Sequence, residues 1–144
     1  TLFLAPLLAE PRTLTRRGPD AGEQADITYG REIAKKIAGV DIGQTIVVAD
    51  RACVAIEAME GTDAAIERAA TLSNGRRLIV VKVSKPEQDM RFDVPVVGPR
   101  TIQVMRRSNA TALALDAGRT LLFERPRLIA EADAAGIAIV GISD

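Results

Sequence analysis

A chain of 144 residues with 47% apolar content is long enough for one packed domain and too apolar to stay generally disordered. Its 19 Lys and Arg balance 19 Asp and Glu, which leaves no long-range field to draw in a nucleic acid backbone or an anionic membrane, and its aromatics are too sparse for base stacking. Histidine is absent and Cys53 stands alone, so histidine general-base chemistry, an internal disulfide and a thiolate metal cluster are excluded, and any catalysis rests on carboxylates, lysines or hydroxyls.

Residues 1–19 carry Pro6, Pro11 and Pro19 and read as a linker or the tail of an earlier element, as in a fragment of a longer protein. Their opening apolar run is too short to span a bilayer and lacks the basic flank and cleavage pattern of an export signal, so a cytoplasmic location is expected. Leu2, Phe3, Leu4, Leu7 and Leu8 either form an exposed apolar patch or, the preferred reading, pack on a neighbouring domain. From Asp20 to Gly39, early acids, late lysines and the stripe of Ile27, Ile33, Ala34 and Ile37 predict a helix. Thr45 to Ala49 and Cys53 to Met59 read as two strands of a hairpin, with Cys53 expected as a buried core thiol. Thr62 or Asp63 should cap a helix to about Ser73, stopped by Asn74-Gly75.

Leu78 to Val83 is nearly all apolar, the pattern of a strand covered on both faces. After Val96-Val97-Gly98-Pro99 a helix is expected over Thr101 to Ser108. Two strands then follow, Ala112 to Leu115 and Thr120 to Phe123, across an Ala117-Gly118-Arg119 turn. A last helix spans about Pro126 to Ala135 before Gly136, and Ile137 to Ile142 closes the chain as a strand. The sum is a single α/β domain over residues 20–144, a mixed β-sheet flanked by helices, without internal repeats. No Gly-x-Gly-x-x-Gly turn and no Gly-Lys-Ser/Thr loop is present, so neither a dinucleotide fold nor a P-loop ATPase follows.

The chemistry concentrates directly after the apolar strand, in Lys82-Val-Ser-Lys85-Pro-Glu-Gln-Asp89-Met-Arg91-Phe-Asp93-Val-Pro95. Lys82, Lys85 and Arg91 suit phosphoryl oxygens, while Asp89 and Asp93 could hold a divalent cation or activate water. The plainer alternative is a solvated connection whose charges pair loosely. Two details favour chemistry: Pro86 and Pro95 stiffen the segment, and Asp89, Arg91 and Asp93 recur with a period of two. A second constellation is Glu57-Ala-Met-Glu60-Gly61-Thr62-Asp63, where Glu60 and Thr62 stand beside a helix start that favours anions; simple capping with solvated glutamates is the alternative. A third, weaker on its own, is Gly98-Pro99-Arg100-Thr101, where a loop could bring Arg100 and Thr101 to the same ligand.

Glu60-Gly-Thr-Asp63, the Val81 to Pro95 stretch, Val97-Gly-Pro-Arg-Thr101 and Ala117-Gly-Arg-Thr120, together with Leu14-Thr-Arg-Arg17 and Asp41-Ile-Gly-Gln44, resemble the C-terminal half of the LpxI family. The resemblance implies metal-dependent hydrolysis of the pyrophosphate of UDP-2,3-diacylglucosamine to UMP and 2,3-diacylglucosamine 1-phosphate in lipid A biosynthesis, with magnesium as the ion. It also implies a second, N-terminal nucleotide-binding domain that this chain lacks, so the isolated chain need not be active even with its catalytic residues intact. The family's essential aspartate falls in the Gln-Asp-x-Arg-x-Asp motif, with Asp89 as first choice and Asp93 second; both could serve magnesium, as ligand or as base. Lys82, Lys85 and Arg91 would then steady the phosphoryl oxygens. A lipid-bearing substrate adds the option of peripheral contact with the inner membrane. From other classes come a non-catalytic module that holds a phosphorylated ligand and a dimerisation domain that pairs two copies of the chain.

Overall fold

The computed structural model describes residues 7–85 and 94–144. Its elements are α1 (Ala21–Gly39), β1 (Thr45–Ala49), β2 (Ala52–Ile56), α2 (Thr62–Leu72), β3 (Leu78–Lys82), β4 (Val96–Val97), α3 (Pro99–Arg107), β5 (Ala110–Asp116), β6 (Leu121–Leu122), α4 (Arg125–Ala135) and β7 (Ala138–Ile142). Five strands form one sheet in the order β2-β1-β3-β5-β7. Strand β1 runs antiparallel to both of its neighbours, whereas β3, β5 and β7 are parallel, so the sheet is mixed, as the hairpin pattern requires.

Alternation along each strand sorts the core into two layers. Leu78 and Val80 join Val47, Leu113 and Ile139 beneath Ile66, Ile102 and Leu128 of α2, α3 and α4. Ile79 and Val81 face the other way with Ile46, Val48, Ala112 and Ala114, under Ile27, Ala34 and Ala38 of α1. The small residues on that second face let α1 sit close: a Cβ on Gly30 would lie 2.9 Å from Val81 Cγ2 and 3.1 Å from Val48 Cγ2. At the start of α1, Asp20 and Glu23 form a reciprocal capping box. The Glu23 carboxylate is fully buried, where Arg17 grips it at 2.6 and 2.9 Å and the Thr111 hydroxyl donates to it at 2.6 Å.

Several expectations change. The segment read as a linker or tail is held against the domain from Leu8 onward: Ala9 and Leu14 are buried, Leu14 N–H donates to Ile139 O at 2.8 Å and Gly141 N–H to Arg12 O at 2.9 Å. Thr120 to Phe123 does not return to the main sheet, because the place beside β5 is taken by β7; β6 instead pairs in parallel with β4 as a separate two-stranded sheet. Cys53 is exposed rather than core, since β2 is the outermost strand and its buried position is Ala55. The cap of α2 is Gly61, at φ 90°, with no side-chain capping bond, so Thr62 and Asp63 lie inside the helix with their side chains engaged elsewhere. Among the described residues, no helix is long and apolar enough to cross a membrane.

Candidate functional site at the end of strand β3

Lys82 is the last residue of β3 and shares the face of Leu78 and Val80, so its side chain enters the layer between the sheet and helices α2 and α3, where only 8% of the residue stays exposed. An ammonium buried there needs partners. Its Nζ donates to Thr62 Oγ1 at 2.7 Å, on the first residue of α2. The same Thr62 hydroxyl lies 3.2 Å from Thr45 Oγ1 and 3.4 Å from Glu57 Oε2. Thr45 is the register partner of Lys82 across β1 and β3, which is why the two side chains rise on one face. One residue into α2, Asp63 accepts from Thr101 Oγ1 of α3 at 2.7 Å and lies 3.7 Å from Arg100 Nε. Burial pushes the Lys82 ammonium below its ordinary pKa, while the Glu57 and Asp63 carboxylates pull the other way.

The result is a node of one desolvated cation, three threonine hydroxyls and two carboxylates, assembled from the ends of β1, β2 and β3 and the first turns of α2 and α3. Ligands gather at such carboxyl ends of parallel strands in α/β sheets. Arg100, loosely paired with Asp63 and with 84% of its side chain exposed, stands at the rim. Among the described residues no three Asp, Glu or Cys side chains come together as a metal site, and the carboxylates of the node already serve Thr62, Thr101 and Arg100. These groups alone do not fit a divalent cation.

The segments that meet here also carry the motifs of the sequence. Residues 10–140 match the family model described as the LpxI C-terminal domain. The chain belongs to the LpxI family. It is similar to the UDP-2,3-diacylglucosamine pyrophosphatase LpxI of Caulobacter vibrioides, with 36% identity over 136 residues, 90% of this chain and 49% of that protein. The chain thus spans about half the length of the curated relative it matches.

Of the LpxI-like motif residues expected to bind substrate, Lys82, Thr62, Thr101 and Arg100 converge. Glu60 does not: its carboxylate accepts from the Ala58 N–H and from Arg68, both at 3.1 Å, and these hold its pKa below the usual range. Lys85 leaves the node as well and pairs with Asp41 at 2.9 Å on the α1 side of the sheet. Asp89, Arg91 and Asp93 lie outside the described residues. Thr45 was not singled out by sequence, because it gains its place only through antiparallel register. Glu57 and Asp63 lay within the second constellation, but residue type left a solvated glutamate and a helix cap as equal alternatives for them. The Leu14-Thr-Arg-Arg17 motif serves the fold: besides Glu23, Arg17 also binds the carbonyls of Thr111 and Gly136, at 2.8 and 2.9 Å.

Proposed function

We propose that this chain is the C-terminal part of an enzyme of lipid A biosynthesis that hydrolyses the pyrophosphate of UDP-2,3-diacylglucosamine to UMP and 2,3-diacylglucosamine 1-phosphate. Family membership supports the reaction class, and the observation that carries the reading is the buried Lys82 ammonium, fixed on Thr62 at the carboxyl end of the sheet. Burying a cation costs stability that an apolar side chain would not, so its presence points to a ligand whose negative charge it meets. A diphosphate is such a ligand.

In this reading Lys82 and Arg100 meet phosphoryl oxygens as charge moves onto the leaving phosphate, and a cation already desolvated stabilises that charge without reorganising. Thr62 and Thr45 hold the ammonium in place; Asp63 and Thr101 tie α2 to α3 so that the rim keeps its shape. Asp89 is assigned as the essential carboxylate and Asp93 as its companion, and magnesium enters through these two residues rather than through the node. The nucleotide half of the substrate is assigned to an N-terminal domain in the full-length parent.

The test is UMP release from UDP-2,3-diacylglucosamine by the full-length parent protein, with and without magnesium, for the parent and for Lys82→Met and Asp89→Ala. Each variant should lose roughly a hundredfold or more in kcat, the scale of one lost charge-stabilising group. A chelator should abolish turnover in the parent. Unchanged turnover in both variants would reject the assignment.

A further inference from the structure

We propose that Asp116, braced by Arg31, is a positioning residue for the hydrolysis assigned above: it fixes Ser84, and with it the direction in which the chain leaves β3. The inference rests on that reading, in which Lys82 precedes Ser84 by two residues and Asp89 follows it by five. In this role Asp116 acts through the backbone and needs no contact with the substrate.

Strand β5 runs parallel to β3 with Leu115 opposite Lys82, so Asp116 stands one step beyond the last residue of β3. Alternation puts it on the α1 face with Ala112 and Ala114, where only 9% of it stays exposed. Its carbonyl turns to the Arg119 N–H at 3.3 Å, and its side chain continues the link to the β3 side. One carboxylate oxygen accepts from the Ser84 N–H at 2.8 Å and from the Ser84 hydroxyl at 2.9 Å. From the other neighbour, the Gln44 carbonyl accepts from the Val83 N–H at 2.9 Å. Two successive N–H groups are thus held from opposite sides, one by backbone and one by carboxylate.

The second oxygen of Asp116 accepts from Arg31 at 2.7 Å, and Arg31 reaches Asp144 at 2.9 Å with its other nitrogen. Gly30 permits that reach, because its missing Cβ lets α1 lie close to Val81 and Val48 and brings the next residue down to the strand ends. Arg31 keeps only 10% of its side chain exposed. A buried ion pair is weak evidence for stability, since apolar side chains of similar volume hold a fold as well or better. Two fully committed oxygens at one strand exit therefore point to geometry as the gain.

The experiment is steady-state UMP release by the full-length parent and its Asp116→Asn, Ser84→Ala and double variants. Glu23→Gln serves as the control, since it weakens a buried arginine pair at the start of α1. Asparagine has one acceptor oxygen, so either Arg31 or Ser84 faces an NH2 group in Asp116→Asn. There kcat should fall about tenfold to a hundredfold with KM within about twofold, the cost of misplacing a reacting group. Ser84→Ala keeps the N–H bond and should lose about threefold, which carries the test if Asp116→Asn does not fold. The double variant should lose no more than Asp116→Asn alone, because both act through one link. Amide exchange at Ser84 should quicken in Asp116→Asn, while Glu23→Gln should keep the parent's kcat well below its melting temperature. Unchanged kcat in Asp116→Asn and Ser84→Ala, or an equal fall in Glu23→Gln, would overturn the inference, and lost turnover in Lys82→Met would leave the reading of the node standing. Turnover retained in both Lys82→Met and Asp89→Ala would remove that reading, and this inference with it.

Discussion

Replacing Lys82 with Met should lower turnover roughly a hundredfold or more while leaving the fold as stable as before, or more so. Methionine keeps the length of the side chain and removes the charge. The change gives up one charge-assisted bond to Thr62, at 2.7 Å, worth about 1.5–3 kcal/mol. It also removes the desolvation penalty of the ammonium, on the order of several kcal/mol for a buried ion. The depressed pKa of Lys82 says which side wins: burial outweighs the attraction of Glu57 and Asp63, so the charged form is disfavoured in the fold. Thr62 keeps Thr45 and Glu57 within reach, so no hydroxyl is orphaned. The expected net change is from none to about 2 kcal/mol of stabilisation, or up to about 6 °C in Tm for a chain of this length. The sign with pH follows from linkage. A lysine whose folded pKa lies below its ordinary value of 10.5 binds fewer protons folded than unfolded, so the parent gains stability as pH rises toward that value. The difference between parent and variant should therefore narrow on the alkaline side. Urea melts across that pH range, run beside UMP release by the full-length protein, give both readouts. A loss of more than about 3 kcal/mol in Lys82→Met would mean that its pair with the carboxylates holds the fold together. The functional argument from a costly buried cation would then fail.

Two further substitutions test how the scaffold supports the node. Gly43→Ala would put a Cβ 1.8 Å from the Glu57 carbonyl oxygen, a contact that backbone movement alone can relieve; a loss of about 1–3 kcal/mol in urea melts is expected, with reduced turnover because Glu57 is displaced. Glu23→Gln should cost about 1–3 kcal/mol at neutral pH by replacing the charge-assisted bonds from Arg17 and Thr111 with neutral ones. Burial raises the Glu23 pKa, but the Arg17 and Thr111 hydrogen bonds outweigh it and the net shift is downward from 4.5. A carboxylate with a depressed folded pKa contributes its stability above the unfolded value and loses it as pH falls through the folded one, so the parent should lose stability below about pH 4.5 more steeply than the variant. Equal acid limbs in circular dichroism would refute this assignment.

Much of the fold could be read from local pattern, and the failures share a cause. Helix α1 carried its acids, its lysines and its apolar stripe, and the structure places it within one residue of the expected bounds. Strand β3, apolar up to its last residue Lys82, is buried on both faces as that composition implies. The partner of Leu121 and Leu122 is set by a pairing with Val96 and Val97 some 25 residues earlier in sequence, which no local pattern encodes. Cys53 sits in an apolar run, yet only position in the sheet decides which strand is outermost. The site divides in the same way. Lys82, Thr62 and Thr101 were marked by residue type beside helix starts and a strand end, whereas Thr45 joins them through register, and Glu60 and Lys85 are drawn off by Arg68 and Asp41.

The antiparallel strand β1 is what makes the node possible. In a wholly parallel sheet the neighbour of Lys82 would be the end of another strand, leading into its own loop. Here the neighbour is the beginning of β1, and Thr45 stands opposite Lys82 while its carbonyl accepts from Glu57 N–H at 2.9 Å. The hairpin thereby returns Glu57 to the same end of the sheet, beside the first turn of α2. Three elements that are remote in local pattern thus gather two threonine hydroxyls and one carboxylate around a single ammonium, and the Val83 N–H, bonded to Gln44 O at 2.9 Å, fixes where the chain leaves the sheet. A change that slipped β1 by one residue against β3 would turn Thr45 to the α1 face and strip Lys82 of that support. Function at the node therefore depends on β1–β3 register as much as on the identity of its charged residues.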